Sequence, residues 1–277
     1  MSAVAGDADI GWRAGLSLRF ARRGERTVPV HRAHYGPLRV QRAFHPEASV
    51  CHSYILHPPG GVVGGDCLET EVAVSDGAHA LITTPGASKF YRSAGPCARQ
   101  HQSLRVAEGG ALEWLPQEQI VFDGADVSST LDVVLEKGAR FIGWDVLCLG
   151  RPAAAAAFHT GCFDARLSVS RDAHPVLHER SRYAGGSELV NAPWGLGGAD
   201  TVAVMVASGA GDSDVSAVRE QLGDAANAGV TRLDDLLVLR WLGHGAERAF
   251  ATLRPVWRTL RPRLLDLPAC EPRIWRT

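Results

Sequence analysis

Three stretches of the chain share one pattern that decides the fold: Val74–Leu81 (VSDGAHAL), Val106–Leu115 (VAEGGALEWL) and Val134–Ile142 (VLEKGARFI). In each, a strand-like segment ends at a glycine turn, and a second strand-like segment begins at a Gly-Ala step. The alanines of the three steps are 33 and then 28 residues apart. Such a repeat predicts a mainly β fold of stacked, β-helix-like mixed sheets. An antiparallel sandwich made of ordinary hairpin turns fits the same pattern and stays open as the alternative.

Apolar and polar residues alternate with a period of two along much of the chain, which indicates half-buried strands. The alternation is clear at Leu16–Phe20 (LSLRF), Leu38–Arg42 (LRVQR) and Leu68–Val74 (LETEVAV). The sequence therefore predicts a β-rich region over residues 12–210.

The spacing of apolar residues changes to a helical period beyond residue 210. It predicts two α-helices near the C-terminus, at about 212–227 and 244–260. Asp212 or Ser213 is the expected N-cap of the first helix, and Pro255 is expected to kink or shorten the second. Since no long polar linker interrupts the chain, we expect a single domain over 1–277.

Charge is distributed unevenly over the 277 residues, although the formal net charge is only −1. Residues 1–50 and 240–277 are basic, and residues 51–239 carry about ten more acidic than basic side chains. A nucleic-acid partner would require a continuous basic face, so none is expected. No apolar run reaches transmembrane length, no secretory signal is visible at the start, and the six cysteines are scattered. These features predict a cytoplasmic protein without a membrane partner.

Motifs of nucleotide binding and hydrolysis are missing from the sequence. The glycine-rich stretch 58–66 (PPGGVVGGD) has neither the lysine of a phosphate loop nor a helix after it. No GxSxG or HExxH motif occurs. A pair of carboxylates among Glu113, Glu118 and Asp123 would suit a β-helix carbohydrate hydrolase, and this is the alternative function.

Five blocks of sequence, in order, closely resemble the UreD (UreH) family of urease accessory proteins: HPPGGVVGGD (57–66), LITTPGASKFYRSAG (81–95), LEWLPQEQIVFDGA (112–125), WDVLCLGR (144–151) and RIWRT (273–277). The resemblance implies a non-enzymatic maturation factor with a mostly β fold. It also implies UreF-like and UreG-like partners, docking on apo-urease, and nickel that passes through an internal tunnel without tight binding. A cation in transit must leave each site as easily as it arrives, which favours isolated carboxylates over a closed cage.

Carried over by motif, the resemblance implies a nickel path along Asp66, Ser88, Asp145 and Glu179. Asp66 ends the glycine-rich block, Ser88 lies in PGASKFYR, Asp145 lies in WDVLCLGR, and Glu179 lies in the weaker stretch LHERSR. Arg273 and Trp275 in the C-terminal block are expected to contact a partner, because Arg and Trp are enriched at interface hot spots.

Overall fold

The computed structural model describes residues 11–276, so the start of the chain, for which no secretory signal is predicted, lies outside the described residues. Strands alternate with tight turns over most of this length. The strands are β1 (Arg13–Arg23), β2 (Arg26–Tyr35), β3 (Arg39–Val40), β4 (Cys51–Leu56), β5 (Cys67–Val74), β6 (His79–Thr83), β7 (Ser88–Phe90), β8 (Ala98–Val106), β9 (Ala111–Trp114), β10 (Gln119–Val121), β11 (Asp126–Leu135), β12 (Arg140–Leu149), β13 (Cys162–Arg171), β14 (His174–Ala184), β15 (Thr201–Ser208), β16 (Ala228–Leu233) and β17 (Leu236–Gly243).

Two sheets are stacked face to face. The outer sheet has seven strands in the order β14-β13-β11-β8-β5-β1-β2. The inner sheet has ten, with β16-β17-β15-β12-β9-β6-β4-β3 in sequence and β10 and β7 attached beside β12. Both sheets are mixed, with a parallel centre and antiparallel margins. The predicted fold class is confirmed.

The three repeats are the stacked turns that join the sheets. Each unit gives one strand to the outer sheet (β5, β8, β11) and, after its turn, one strand to the inner sheet (β6, β9, β12), and successive units pair in parallel. Gly77, Gly109 and Gly138 adopt φ values of 61°, 65° and 68°, a region that other residues rarely enter. The antiparallel sandwich is therefore not the architecture at the centre of the molecule.

The second and third helices along the chain cover the far face of the inner sheet, whereas the first packs beside β14 of the outer sheet. The helices are α1 (Glu188–Asn191), α2 (Asp212–Leu222) and α3 (Ala246–Leu264), and short 3₁₀ turns lie at Pro152–Ala154 and Arg273–Arg276. One apolar cluster fills the space between the sheets, and a second lies between the inner sheet and the helices α2 and α3.

The predicted helix boundaries need correction. The first helix ends at Leu222 instead of 227, because Gly223 takes a φ of 55° and ends the helix. Its N-cap is Gly211, whose N–H donates to the Asp214 carboxylate at 2.8 Å. The second helix runs over Ala246–Leu264 instead of 244–260, and Pro255 lies inside it without ending it. The tail ends in the 3₁₀ turn Arg273–Arg276, and this turn and the short helix α1 were not predicted.

Candidate functional site

Two of the glycine-rich blocks, 57–66 and 81–95, pack against each other. The N–H of Val62 donates to the Lys89 carbonyl at 2.7 Å, and the N–H of Tyr91 donates to the Val62 carbonyl at 2.8 Å. A Cβ at Gly64 would stand 2.6 Å from the Pro96 carbonyl oxygen, so glycine is required by this close approach. The glycines of segment 58–66 thus allow its backbone to pack closely against the backbone of the second block.

Asp66 closes the bend at the end of the first block. Its Oδ1 accepts from the Trp12 N–H at 2.8 Å, and its Oδ2 accepts from the Val63 N–H at 3.0 Å. The side chain is buried, and its charge acts on His57, whose pKa is lowered by burial and partly restored by Asp66. Asp66 therefore holds the bend together and lies close to an imidazole of the cavity described next.

The first cavity lies between the two sheets and is called here the Ser88 cavity. It encloses ≈ 390 Å³, room for many water molecules. Its polar lining includes His57, Ser88, Gln100, Gln119 and Asp145. The glycine-rich blocks form one side of it.

The second cavity, called here the Glu179 cavity, lies further along the same space between the sheets. It encloses ≈ 90 Å³, enough for several waters. Its polar lining includes Ser129, Asp145, Glu179 and Arg240. Asp145 lines both cavities, so a single carboxylate stands where the two spaces meet.

Asp145 is held in place by buried amides. Its Oδ1 accepts from the Gln119 side-chain N–H at 2.7 Å. Gln119 in turn accepts from Gln100 at 3.1 Å, and Gln100 also donates to Ser129 at 3.3 Å. Burial raises the pKa of Asp145, while the Gln119 hydrogen bond opposes that rise. Among the described residues no cationic side chain forms an ion pair with Asp145. A carboxylate without such a partner in a low-dielectric space favours the approach of a cation.

Glu179 lies at the far end of the second cavity and is ion-paired. Its Oε2 accepts from the Arg240 guanidinium at 2.5 Å, and both side chains are partly exposed. Arg240 comes from β17, 61 residues further along the chain. The structure therefore places Ser88, Asp145 and Glu179 on two adjoining cavities, whereas Asp66 lies in the bend beside them.

The sequence analysis missed the two amide side chains that support Asp145, those of Gln100 and Gln119, and it also missed Arg240. Gln119 lies within the LEWLPQEQIVFDGA block, which the sequence analysis identified without assigning a role to Gln119. Gln100, Ser129 and Arg240 lie outside the matching blocks, and their inward position follows only from strand register. No local sequence signal distinguishes them from other polar residues on strands.

The three carboxylates of the hydrolase alternative do not share one cleft. Glu113 is fully buried beneath α3, where Trp257 Nε1 and Arg261 Nε donate to it. Glu118 lines a groove along α3, and Asp123 lines a separate groove with Arg92 and His159. The N–H groups of His159 and Thr160 donate to Asp123 and lower its pKa. This arrangement gives no support to hydrolysis by a carboxylate pair.

The two predicted partner-binding residues differ in exposure. Arg273 is exposed, whereas Trp275 is half-buried. The Trp275 ring lies 5.6 Å from both Trp144 and Trp257 between centroids, and its Nε1 donates to Thr83 Oγ1 at 3.1 Å. Trp275 anchors the tail to the body of the protein. Contact with a partner stays a prediction, and the exposed Arg273 is a better candidate for it than Trp275.

Stacked mixed sheets around an apolar core that contains two cavities, with one carboxylate lining both, define the class: a β-solenoid-like protein with internal cavities. No helix among residues 11–276 is long and apolar enough to span a membrane.

Comparison with known proteins identifies the family. The family model described as UreD urease accessory protein matches residues 13–276. The chain is 48% identical over 270 residues to the urease accessory protein UreD of Pseudomonas putida strain W619, covering 97% of this chain and 96% of the relative. It is 47% identical to UreD of Alkalilimnicola ehrlichii, covering 96% and 92%, and 46% identical to UreD of Alcanivorax borkumensis, covering 96% and 93%. The chain belongs to the UreD family of urease accessory proteins.

Proposed function

We propose that this protein is a non-catalytic urease maturation factor that helps deliver nickel to apo-urease through its interior. Membership in the family supports the maturation role. The observation that carries the conduit is that Asp145 lines both the Ser88 cavity and the Glu179 cavity. A cation moving between the sheets would meet Ser88, then Asp145, then Glu179.

The chemistry of this route favours transit over storage. Asp145 is a single carboxylate supported by amides, and no cluster of His, Cys, Asp or Glu ligand atoms surrounds it in the described part of the chain. One carboxylate with water as the remaining ligands binds a divalent cation weakly enough to release it. To bind the cation, the Glu179 carboxylate has to give up its ion pair with Arg240. When the Arg240 guanidinium pairs with Glu179 again, it displaces the cation.

The same proposal includes partners and location. The protein acts in the cytoplasm as a scaffold that joins UreF-like and UreG-like proteins to apo-urease, and nickel is cargo instead of a resident cofactor. The exposed Arg273 lies on the tail, where a partner can reach it. No contact with nucleic acid or membrane is part of this function.

Replacement of Asp145 in a reconstituted maturation system tests the conduit. The urease subunits and all accessory proteins are co-expressed with the wild-type chain, Asp145→Ala, Glu179→Ala or the matched control Glu108→Ala, which removes an exposed carboxylate on a turn. Nickel per urease and urease activity should fall at least about tenfold for the first two variants, while the co-purified complex stays intact and the control behaves as wild type.

Two outcomes would contradict parts of the proposal. Full nickel loading by both cavity variants would refute the conduit and leave a scaffold that only docks the other proteins on urease. Loss of the complex itself in the cavity variants would show that the two residues support assembly instead of transit.

A further inference from the structure

Three of the sequence blocks meet in an exposed groove, called here the Arg151 groove. It is lined by the aromatic rings of Tyr91 and Phe122, by the side chains of Arg92 and Arg151, and by the alanine loop 155–157. The groove encloses ≈ 520 Å³, which lies within the range of ligand-binding sites. None of these residues lines the Ser88 cavity or the Glu179 cavity, so the groove is a separate feature of the surface.

The guanidinium of Arg151 is ordered by an aromatic ring. Its Cζ lies over Phe122, 4.8 Å from the ring centroid. Tyr91 meets the same ring edge to face, at 4.7 Å between the two centroids. Stacking on a ring orients a guanidinium and leaves the N–H groups at its edge available for hydrogen bonds. Arg151 is therefore prepared to donate two parallel hydrogen bonds to a carboxylate.

The charges of the groove leave the Arg151 cation without a counterpart. Arg92 pairs with Asp123 Oδ2 at 3.1 Å. Asp123 Oδ1 accepts from the backbone N–H groups of His159 and Thr160, at 2.9 and 2.7 Å. The Arg151 side chain is exposed, and in the described part of the chain it forms neither an ion pair nor a hydrogen bond. Because Asp123 is already paired, the groove presents one uncompensated positive charge.

We propose that the Arg151 groove docks an acidic segment of a partner protein, with a carboxylate of that segment on Arg151 and an apolar side chain on the alanine loop. Arginine and tyrosine are enriched at interface hot spots, and complementary charge gives such a contact its specificity. The inference rests on the proposed function in one respect: the partner is a protein of the urease maturation assembly.

The shape of the groove favours a protein segment over a small anion. Ala155 and Ala157 are exposed, so the loop adds uncharged, apolar surface next to the cation. A phosphate or carbonate ion would fill a small part of ≈ 520 Å³ and would leave this apolar surface in water. A peptide segment that carries a carboxylate beside an apolar side chain covers both parts of the groove.

The groove also lies next to the proposed nickel route. The Tyr91 hydroxyl donates to the Gly60 carbonyl at 3.0 Å, and a Cβ at Gly61 would stand 2.4 Å from the Tyr91 ring. Both glycines line the Ser88 cavity. A partner seated in the Arg151 groove therefore contacts the residue that packs on the wall of this cavity.

Photo-crosslinking from the groove identifies the occupant. The photoreactive amino acid p-benzoylphenylalanine is placed at Ala155 or, as the control, at Glu108 on an exposed turn, and the co-purified assembly is irradiated. Mass spectrometry should locate a crosslink from position 155 to a partner peptide in which Asp or Glu stands beside an apolar residue, and no such crosslink from position 108. No crosslink from position 155, or one to a peptide without carboxylates, would overturn the proposal.

Charge reversal measures the contribution of Arg151. The affinity of the full chain for the crosslinked partner should fall at least about tenfold in Arg151→Glu, because a hydrogen-bonded ion pair is replaced by repulsion between like charges. The matched control Arg105→Glu, which reverses an exposed arginine near the end of β8, should bind as the wild type does. Unchanged affinity of Arg151→Glu would overturn the docking proposal whatever the nickel loading of urease. Failed nickel loading in an assembly that still crosslinks at position 155 would contradict only the conduit.

Discussion

The carboxylate of Asp145 is open to two cavities and yet enclosed by protein, and this position has an energetic cost. Burial raises its pKa, which means that the folded state holds a proton on this group more tightly than the unfolded state does. Above the folded pKa the folded protein contains a buried charge, and stability rises as the pH falls through that pKa. We therefore expect Asp145→Asn to be more stable than the wild type at neutral pH, with a difference that shrinks as the solution is acidified. Urea denaturation at several pH values measures it.

Asp123→Asn is the matched control, since its carboxylate has the opposite shift. Backbone N–H donors lower the pKa of Asp123, so its ionised form stabilises the fold at neutral pH, and this contribution is lost as the pH falls through its folded pKa. The Asn variant should be less stable than the wild type at neutral pH. If Asp145→Asn were no more stable than the wild type at neutral pH, the assignment of an unfavourable buried charge at Asp145 would be wrong.

Single residues also show the limit of sequence reasoning. Ser88, Asp145 and Glu179 were selected from sequence blocks, and the structure brings them to adjoining cavities. Arg240 was not selected, because its pairing with Glu179 depends on a strand that lies 61 residues away in the chain.

Among the elements, the bend 58–66 is predicted to be intolerant of side chains. A Cβ at Gly64 would stand 2.3 Å from Ser93 Oγ and 2.6 Å from the Pro96 carbonyl. Gly64→Ala should therefore cost about 1–3 kcal/mol, as overpacking commonly does. The control Gly86→Ala adds a methyl group to open space in the second block and should be nearly neutral. Thermal or urea denaturation of both variants tests this prediction. Equal stability of Gly64→Ala and Gly86→Ala would mean that the two blocks move apart at little energetic cost.

The tail provides a second prediction at this scale. Trp275 packs on Trp144 and Trp257, so Trp275→Ala should destabilise the protein by about 2 kcal/mol. Arg273→Ala should leave stability unchanged, because the side chain is exposed, and should weaken a pull-down of the UreF-like partner. The opposite pattern, in which Trp275→Ala is stable but no longer binds the partner, would indicate that Trp275 contacts the partner.

Elements with local signals were predictable from sequence, and their ends were less so. The repeated glycine turns at Gly77, Gly109 and Gly138 revealed the stack because each turn requires a positive φ within a few residues. The end of α3 was predicted four residues too early, and Pro255 was expected to kink or shorten a helix that continues past it, because an internal proline weakens a helix by about 3 kcal/mol. Burial of Val256, Trp257, Leu260 and Leu264 against the inner sheet offsets that loss, at about 1.5–3 kcal/mol for each side chain. Such a balance is visible only once the packing partner is known.

For the whole molecule, the layered architecture supports the proposed combination of a scaffold and a nickel route. The helices α2 and α3 and the tail cover the inner sheet, while the space between the sheets contains the two cavities. A partner can therefore bind the outside without occupying the interior. The exposed surface and the cavity should respond to different substitutions.

This separation predicts how substitutions combine. If the two cavities act in series, the transit times of Asp145→Ala and Glu179→Ala add, so two tenfold defects should give about a twentyfold defect in nickel loading. Defects in independent steps multiply, so Asp145→Ala combined with Arg273→Ala should give about the product of the single effects. Nickel per urease, measured over time after nickel is supplied to the co-purified assembly, distinguishes defects that add from defects that multiply. A multiplicative effect of the cavity pair would show that Asp145 and Glu179 do not control separate consecutive steps, because substitutions that raise one shared barrier multiply instead of adding their transit times.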